Sequence, residues 1–254
     1  MITIKNEKEI ELMREAGYMV SKTHKYLKDF IKPGITTNEL DKLAEKYIRS
    51  MGGIPTCKGY EGYPATLCTS VNDEVVHGIP NNYKLKNGDI ITIDMVIGYK
   101  GYQGDAAWTY AVGEISNEKK YLMEHTKKAL YEGIKMVKPG NRIGDISNAV
   151  EIYAKKYKLG VVKELCGHGI GTEMHEDPDV PNYGKASTGP RLKEGMVICI
   201  EPMLNLGTAD IYMLDDGWTI KTDDGAPSAH YEHTVLVTKD GYEILTPRID
   251  EEEN

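Results

Sequence analysis

Two short segments recur along this chain at nearly the same interval. Lys32-Pro33-Gly34 returns as Lys138-Pro139-Gly140, 106 residues later, and Asn6-Glu7-Lys8 is echoed by Asn117-Glu118-Lys119. Each echo sits at a boundary of a helical pattern. Asn6 with Glu9 fits a capping box, and Ile10, Met13, Gly17, Val20, Leu27 and Ile31 recur at helical spacing. A helix is therefore expected over about residues 6–31, stopped by Lys-Pro-Gly. A second is expected over about 36–50, with Leu40, Leu43, Tyr47 and Ile48 on one side and Gly52-Gly53 as terminator. Residues 54–113 then turn to Gly, Pro and β-rich runs such as Ile90-Ile91-Thr92-Ile93, which read as strands and hairpins. After the second Lys-Pro-Gly a helix is expected over about 143–157, ended by Gly160, followed by a strand-rich block over about 161–246.

The order helix–helix–strands thus occurs twice, at a period far beyond the ~20–50 residues of solenoid repeats. It predicts one α+β domain over 1–254 built from two half-repeats, about 1–113 and 114–248. The strands are expected to merge into an antiparallel sheet with helices on one face. The acidic tail, 249–254, is expected to fray.

A chain of 254 residues suits one such unit, and 40% hydrophobic with 28% charged residues excludes disordered and fibrous classes. Its longest apolar run, Met196-Val197-Ile198-Cys199-Ile200, falls far short of the ~18 residues of a membrane span. No apolar export segment opens the sequence, so a cytoplasmic location is expected. Cysteines 57, 68, 166 and 199 form no CxxC pair, which argues against a structural zinc site or a disulfide framework. The net charge of −8 with no basic cluster argues against DNA as a partner.

Four carboxylates lie where apolar strands should exclude them. Asp94 interrupts Ile91-Thr92-Ile93 and Met95-Val96-Ile97. Asp105 follows 11 residues later, after a turn rich in Gly98, Gly101 and Gly104. Glu201 ends the run 196–200, and Glu232 opens Tyr231-Glu232-His233-Thr234-Val235. A strand side chain must point to one face or the other, and an unpaired carboxylate on a helix-covered face costs several kcal/mol. Solvent, a cationic partner or a metal would each relieve that cost. For one Asp alone, solvent is the ordinary answer. For four together, the segments supply no Arg and hardly any Lys, and clustered carboxylates repel unless a cation sits among them. Asp94 plus 107 is Glu201, so both halves place acids at nearly equivalent positions.

Three histidines stand in comparable settings: His168 in Cys166-Gly167-His168-Gly169-Ile170-Gly171, His175 seven residues on, and His77 at the end of Val75-Val76. A lone His beside an apolar run is more often a hydrogen-bonded structural residue. Three of them beside four strand acids favour an oxygen-rich site for hard or borderline divalent ions, with atoms enough to bridge two. The residues read as a two-metal hydrolase.

Over nearly its whole length the chain resembles the type I methionine aminopeptidases, metallopeptidases of the pita-bread fold. The segments that carry this are Asn72-Asp73-Glu74-Val75-Val76-His77-Gly78-Ile79-Pro80, Ile93-Asp94 with Gly104-Asp105, the His168 turn, His175-Glu176-Asp177-Pro178, Glu201-Pro202 and Tyr231-Glu232-His233-Thr234. The resemblance implies a cytoplasmic hydrolase that removes the N-terminal methionine of nascent polypeptides by attack of a metal-activated water. It implies Asp94, Asp105, His168, Glu201 and Glu232 as ligands of two divalent ions, with Mn, Fe(II), Co and Zn all fitting the set. Glu201 would accept the water's proton, His175 would donate to the oxyanion and His77 would position the scissile amide. Cys57, Tyr60, Tyr63, Cys68 and Trp218 would line a methionine pocket, soft and aromatic as a thioether prefers. Without the resemblance, the two tyrosines read as turn aromatics and the two cysteines as buried thiols. Met174 stands where bacterial relatives often carry Phe, which implies a reshaped pocket wall, and Gly207-Thr208-Ala209-Asp210-Ile211-Tyr212 matches nothing in the pattern. A monomer is the default, and ribosome association would suit an enzyme of nascent chains, although no basic patch predicts it.

Relatives of the same fold cleave before proline, but usually carry a large N-terminal domain, and only 93 residues precede Asp94. The insertion of type II methionine aminopeptidases is absent, since Glu201 and Glu232 are 31 apart. A non-catalytic binding module of this fold would lack some ligands, and all five are present.

Overall fold

The computed structural model describes residues 1–249, so the acidic tail falls outside it from residue 250 on. The first half runs α1 (Glu7–Lys28), α2 (Thr37–Ser50), β1 (Ile54–Pro55), β2 (Cys68–Val71), β3 (Glu74–Val76), β4 (Ile90–Tyr99) and β5 (Tyr102–Ala111). The second half opens with α3 (Asn117–Ile134) and α4 (Ile143–Lys156). Its strands are β6 (Gly160–Val161), β7 (Cys166–Gly169), β8 (Glu176–Pro181), β9 (Val197–Ile200) and β10 (Met203–Asn205), then β11 (Ile211–Met213), β12 (Ile220–Thr222), β13 (Ser228–His230), β14 (His233–Val237) and β15 (Tyr242–Ile244). No helix among the described residues is long and apolar enough to cross a membrane.

Local chemistry sets the helix ends. The Asn6 side chain accepts from the N–H groups of Lys8 and Glu9, and the Glu9 carboxylate accepts from the Asn6 N–H, closing the expected box. α1 stops at Lys28, short of the expected Ile31, because the Phe30 N–H turns back to Leu27 O at 2.9 Å. Ile31 still packs on the core from outside the helix. The second-half echo is offset by one residue. Ser116, not Asn117, caps α3, its hydroxyl accepting from the Lys119 N–H, because a side-chain oxygen just ahead of the first turn is what the free N–H groups need. α4 ends at Lys156, with Tyr157 as its cap.

The Lys-Pro-Gly echo is a true structural repeat. Gly34 and Gly140 adopt φ of 99° and 94°, a region open to residues without a Cβ. Their N–H groups bond to Leu85 O at 2.8 Å and Leu192 O at 3.1 Å. Matching bridges, Thr36 with Lys84 and Arg142 with Arg191, follow just before α2 and α4.

All paired strands run antiparallel. β4 joins β1, β2 and β5, while the second half forms the order β15-β14-β9-β7-β8, and two three-stranded sheets, β13-β10-β6 and β11-β12-β3, flank them. The two strand blocks meet along a seam between β5 and β14 in place of a continuous ladder. There the Glu232 N–H donates to Ala107 O at 2.8 Å, and the Thr234 hydroxyl accepts from the Asp105 N–H and donates to Asp105 O at 3.1 and 2.7 Å.

Helices cover one face. Ile91, Ile93, Met95 and Ile97 of β4 are buried with Leu27, Leu40 and Ile48, and Ile198 and Ile200 of β9 with Leu130, Ile134 and Val150. α1 lies close enough on β5 that a Cβ on Gly104 would stand 2.6 Å from Gly17 N. The even-numbered residues of β4 face the other way, so Asp94 points away from the helices.

Candidate active site

The spacing of Asp94 and Asp105 follows from one turn. Lys100 and Gly101 both adopt positive φ, 48° and 87°, as a two-residue hairpin of matching twist requires. The register then pairs Asp94 with Ala107 and Val96 with Asp105, so the two acids are diagonal neighbours on one face. In the other half, β9 and β14 pair His233 with Ile200. One step further along the same register brings Glu201 opposite Glu232.

These acids and His168 of β7 line one cavity of about 420 Å³, together with His77, His175 and all the residues expected of the methionine pocket: Cys57, Tyr60, Tyr63, Cys68, Met174 and Trp218. Every residue singled out from the sequence as a site candidate is thus gathered in one place.

The His168 ring states what the centre requires. Its Nδ1 lies 2.9 Å from Gly169 O and donates to it, which leaves a lone pair on Nε2. That lone pair faces Asp105 Oδ2 at 3.7 Å and Glu201 Oε1 at 3.6 Å. Burial, aided by His175, holds the His168 pKa down to about 4, so the ring is neutral at pH 7. A neutral nitrogen and two carboxylate oxygens at these separations make no hydrogen bond and repel one another. A shared cation reconciles them. Asp105 Oδ1 and Glu232 Oε1 are also buried with no hydrogen-bond partner. Burial, followed by neighbouring carboxylates, pushes Asp105, Glu201 and Glu232 well above the usual range, and burial pushes Asp94 up to about 7. Asp105, His168 and Glu232 present atoms within 4.8 Å of one another, a separation that one ion can span. The residues fit a divalent metal.

Cys199 adds a sulfur atom to that group, which the oxygen-rich reading of the sequence did not contain. Burial, then Glu232 and Asp105, raises its pKa well above the ordinary thiol value. It is a neutral thiol at 3.7 Å from the Thr234 hydroxyl. Alternation along β9 could have revealed it, since positions 199 and 201 share a face.

The two further histidines are held differently. The Tyr60 hydroxyl lies 2.9 Å from His175 Nδ1, a link invisible in the sequence across 115 residues. His77 adopts φ of 58° and turns its ring edge-on to Trp218 at 6.4 Å, and burial, then His175, holds its pKa down to about 4. Gly78 lets that turn lie against β2, where a Cβ would come within 2.3 Å of Thr69 O.

The pocket wall is a separate apolar cluster of Cys57, Tyr63, Ala65, Cys68, Val96 and Met174, with Tyr60, Ile79 and Trp218 packed on it. Met174 is buried within this wall. The Tyr63 hydroxyl reaches Leu67 O and Gly78 O at 3.0 and 2.9 Å, and its ring meets Trp218 edge-on at 5.1 Å. The unmatched segment 207–212 leads into β11, which pairs with β12. Asp224 holds its start through the Thr208 N–H at 2.7 Å, and Asp216 accepts from the N–H groups of Trp218 and Thr219 at 2.9 and 2.8 Å. The rim around Trp218 is therefore a hydrogen-bonded hairpin. Val96, Met203 and His230 also line the cavity and were missed; alternation on β4 places Val96 on the face of Asp94, and His230 ends β13 two residues before Glu232.

Residues 11–239 match the model of metallopeptidase family M24. The sequence is 50% identical over 246 residues to methionine aminopeptidase 1 of Bacillus subtilis (strain 168), covering 97% of this chain and 99% of that protein. The fold is similar to the crystal structure of methionine aminopeptidase from Rickettsia prowazekii, with a TM-score of 0.96 and 44% identity over 97% of this chain and 100% of that one. Methionine aminopeptidase from Thermotoga maritima gives 0.95 at 43% identity, covering 97% and 99%.

Proposed function

The chain belongs to metallopeptidase family M24, in its methionine aminopeptidase branch, and from that premise we propose how its residues remove an N-terminal methionine. Residues 1–254 act as one catalytic unit, a monomer in the cytoplasm, on the N-terminal methionine of nascent polypeptides. Asp94, Asp105, His168, Glu201 and Glu232 would hold two divalent ions, drawn from Mn, Fe(II), Co or Zn. Such ions supply a Lewis acid that polarises the scissile carbonyl and acidifies water. The carrying observation is the His168 Nε2 lone pair set against Asp105 and Glu201 at 3.7 and 3.6 Å.

The apolar cluster of Cys57, Tyr63, Cys68, Val96 and Met174 receives the substrate's thioether side chain, with Trp218 as its lid. Glu201 accepts a proton from the attacking water. The Tyr60 hydroxyl donates to His175 Nδ1, which leaves the proton on Nε2 as a donor to the oxyanion that develops. His77, neutral and fixed by its backbone turn, positions the scissile amide. Water adds across the amide, a proton passes to the leaving nitrogen as the C–N bond breaks, and free methionine leaves with a shortened peptide.

The test is release of methionine from Met-Gly-Met-Met by chelated protein, then with one and two equivalents of Mn(II) or Co(II). Release that depends on metal, with none of its amino-terminal residue from a Pro-second dipeptide lacking Met, is the expected result. Binding that saturates at a single equivalent with full activity would overturn the two-ion assignment.

A further inference from the structure

His230 takes no part in the steps above, yet its ring is among the most confined groups in the cavity. It is 1% exposed, lines the cavity beside Glu201 and His77, and neither ring nitrogen has a hydrogen-bond partner. Its backbone is fixed on both sides. β13 pairs it with Met203, and the Thr109 hydroxyl accepts from its N–H at 3.0 Å and donates to its carbonyl at 2.8 Å. Its imidazole offers two ring nitrogens, at least one of which carries an N–H. Leaving both unpaired is costly, so the ring calls for a partner in the working protein.

Glu201 Oε2 lies 3.6 Å from His230 Nε2. The other oxygen, Oε1, lies 3.6 Å from His168 Nε2. Glu201 therefore stands between two imidazoles, one on each oxygen, and the two differ. His168 has its Nδ1 proton committed to Gly169 O and can offer only a lone pair. His230 has no such commitment and is free to carry its proton on Nε2. The Asn182 amide anchors the Glu201 backbone carbonyl at 3.0 Å, so the carboxylate is set by what faces its two oxygens.

We propose that His230 is a positioning residue whose Nε2–H holds Oε2 of Glu201 and thereby aims Oε1 at the centre that His168 faces. This rests on the assignment of Glu201 as a metal ligand and proton acceptor. A hydrogen-bonded outer partner of this kind typically changes metal affinity or activity about 10–100-fold.

The experiment uses the full chain, chelated and then titrated calorimetrically with Mn(II), alongside the visible spectrum of the Co(II) form and kcat and KM for Met-Gly-Met-Met. His230→Leu is expected to weaken metal binding and lower kcat about 10–100-fold, with KM within about twofold and an altered Co(II) spectrum. His230→Gln, which retains a donor, is expected to restore most of both. Unchanged metal affinity and spectrum with a raised KM would overturn the proposal in favour of a direct substrate contact, and unchanged values throughout would make the ring a mere filler. Should the Leu variant not fold, His230→Asn, with an amide too short to reach Glu201, carries the same comparison. Glu201→Gln separates the two levels. If it binds metal like the parent, the ligand assignment fails; if it loses metal while His230→Leu does not, only the role of His230 fails.

Discussion

Thr109 and Thr234 perform the same act on opposite sides of the seam: each hydroxyl bridges the N–H and C=O of one residue from the other half, His230 for Thr109 and Asp105 for Thr234. Both bridged residues face the cavity. The pseudo-symmetry thus extends from helix order down to single hydroxyls, and these close a gap that a β-ladder would otherwise fill. Thr234→Val keeps the shape and leaves two buried backbone groups without a partner. It should lower stability by about 1–3 kcal/mol and loosen metal binding, because Asp105 loses its anchor. Urea denaturation with and without Mn(II) reads both. A variant as stable as the parent would show that the seam is held by packing alone.

Tyr60 serves two purposes, a ring packed on the apolar wall of the cavity and a hydroxyl 2.9 Å from His175 Nδ1. Tyr60→Phe keeps the first and removes the second. A net hydrogen bond of about 1 kcal/mol corresponds to roughly a fivefold loss, expected in kcat and not in KM. A raised KM with unchanged kcat would mean that Tyr60 acts only as a wall.

What was legible in the sequence had a local cause. A two-residue turn and strict alternation were enough to put Asp94 and Asp105 on one face, because residues 94–105 are a single hairpin. The capping box at Asn6 was readable for the same reason. What was illegible depended on distant segments meeting. Tyr60 approaches His175 only once the two halves dock, and His230 approaches Glu201 only once β13 pairs with β10, and no pattern within one segment reports either distance. The misplaced echo at Asn117 has another origin: a three-residue match carried less information than the capping preference of the serine before it.

The N-terminal arm braces the loop that carries Met174 and His175. Glu176 accepts from Lys5 Nζ at 2.7 Å and from the Thr3 hydroxyl at 2.6 Å, with side chains only 6% and 10% exposed for Lys5 and Glu176. Burial by itself would raise the Glu176 pKa, but the hydrogen bonds from Lys5 and Thr3 outweigh it and bring the carboxylate below its ordinary value. A depressed folded-state pKa contributes stability above the unfolded value that is lost as pH falls through the folded one. Lys5→Met should therefore destabilise at pH 7, by up to about 3 kcal/mol, since a buried carboxylate loses its cationic partner and keeps only the Thr3 hydroxyl and the Glu173 N–H. The difference from the parent should narrow once acid protonates Glu176. Denaturation followed from pH 7 down to pH 3 measures it, and a gap of equal size throughout would assign the loss to packing of the lysine stem.

Asp105 should have opposite effects with and without metal. In the chelated chain burial, Glu232 and Asp94 push its carboxyl well above the usual range, so the ionised form is disfavoured there, and an asparagine is close to isosteric with the carboxyl. Asp105→Asn should leave the metal-free protein as stable as the parent or more so, because one member of a repelling cluster has been removed. Its stability should then fail to respond to metal. At 100 times the dissociation constant, a ligand that binds only the folded state adds about 2.7 kcal/mol to the parent, and the variant should gain none of it. Thermal melts of both proteins, chelated and with Mn(II) or Co(II), test the pair of outcomes together. A variant whose midpoint rises with metal as far as the parent's would remove Asp105 from the ligand set, and with it the account of why a strand carries that acid.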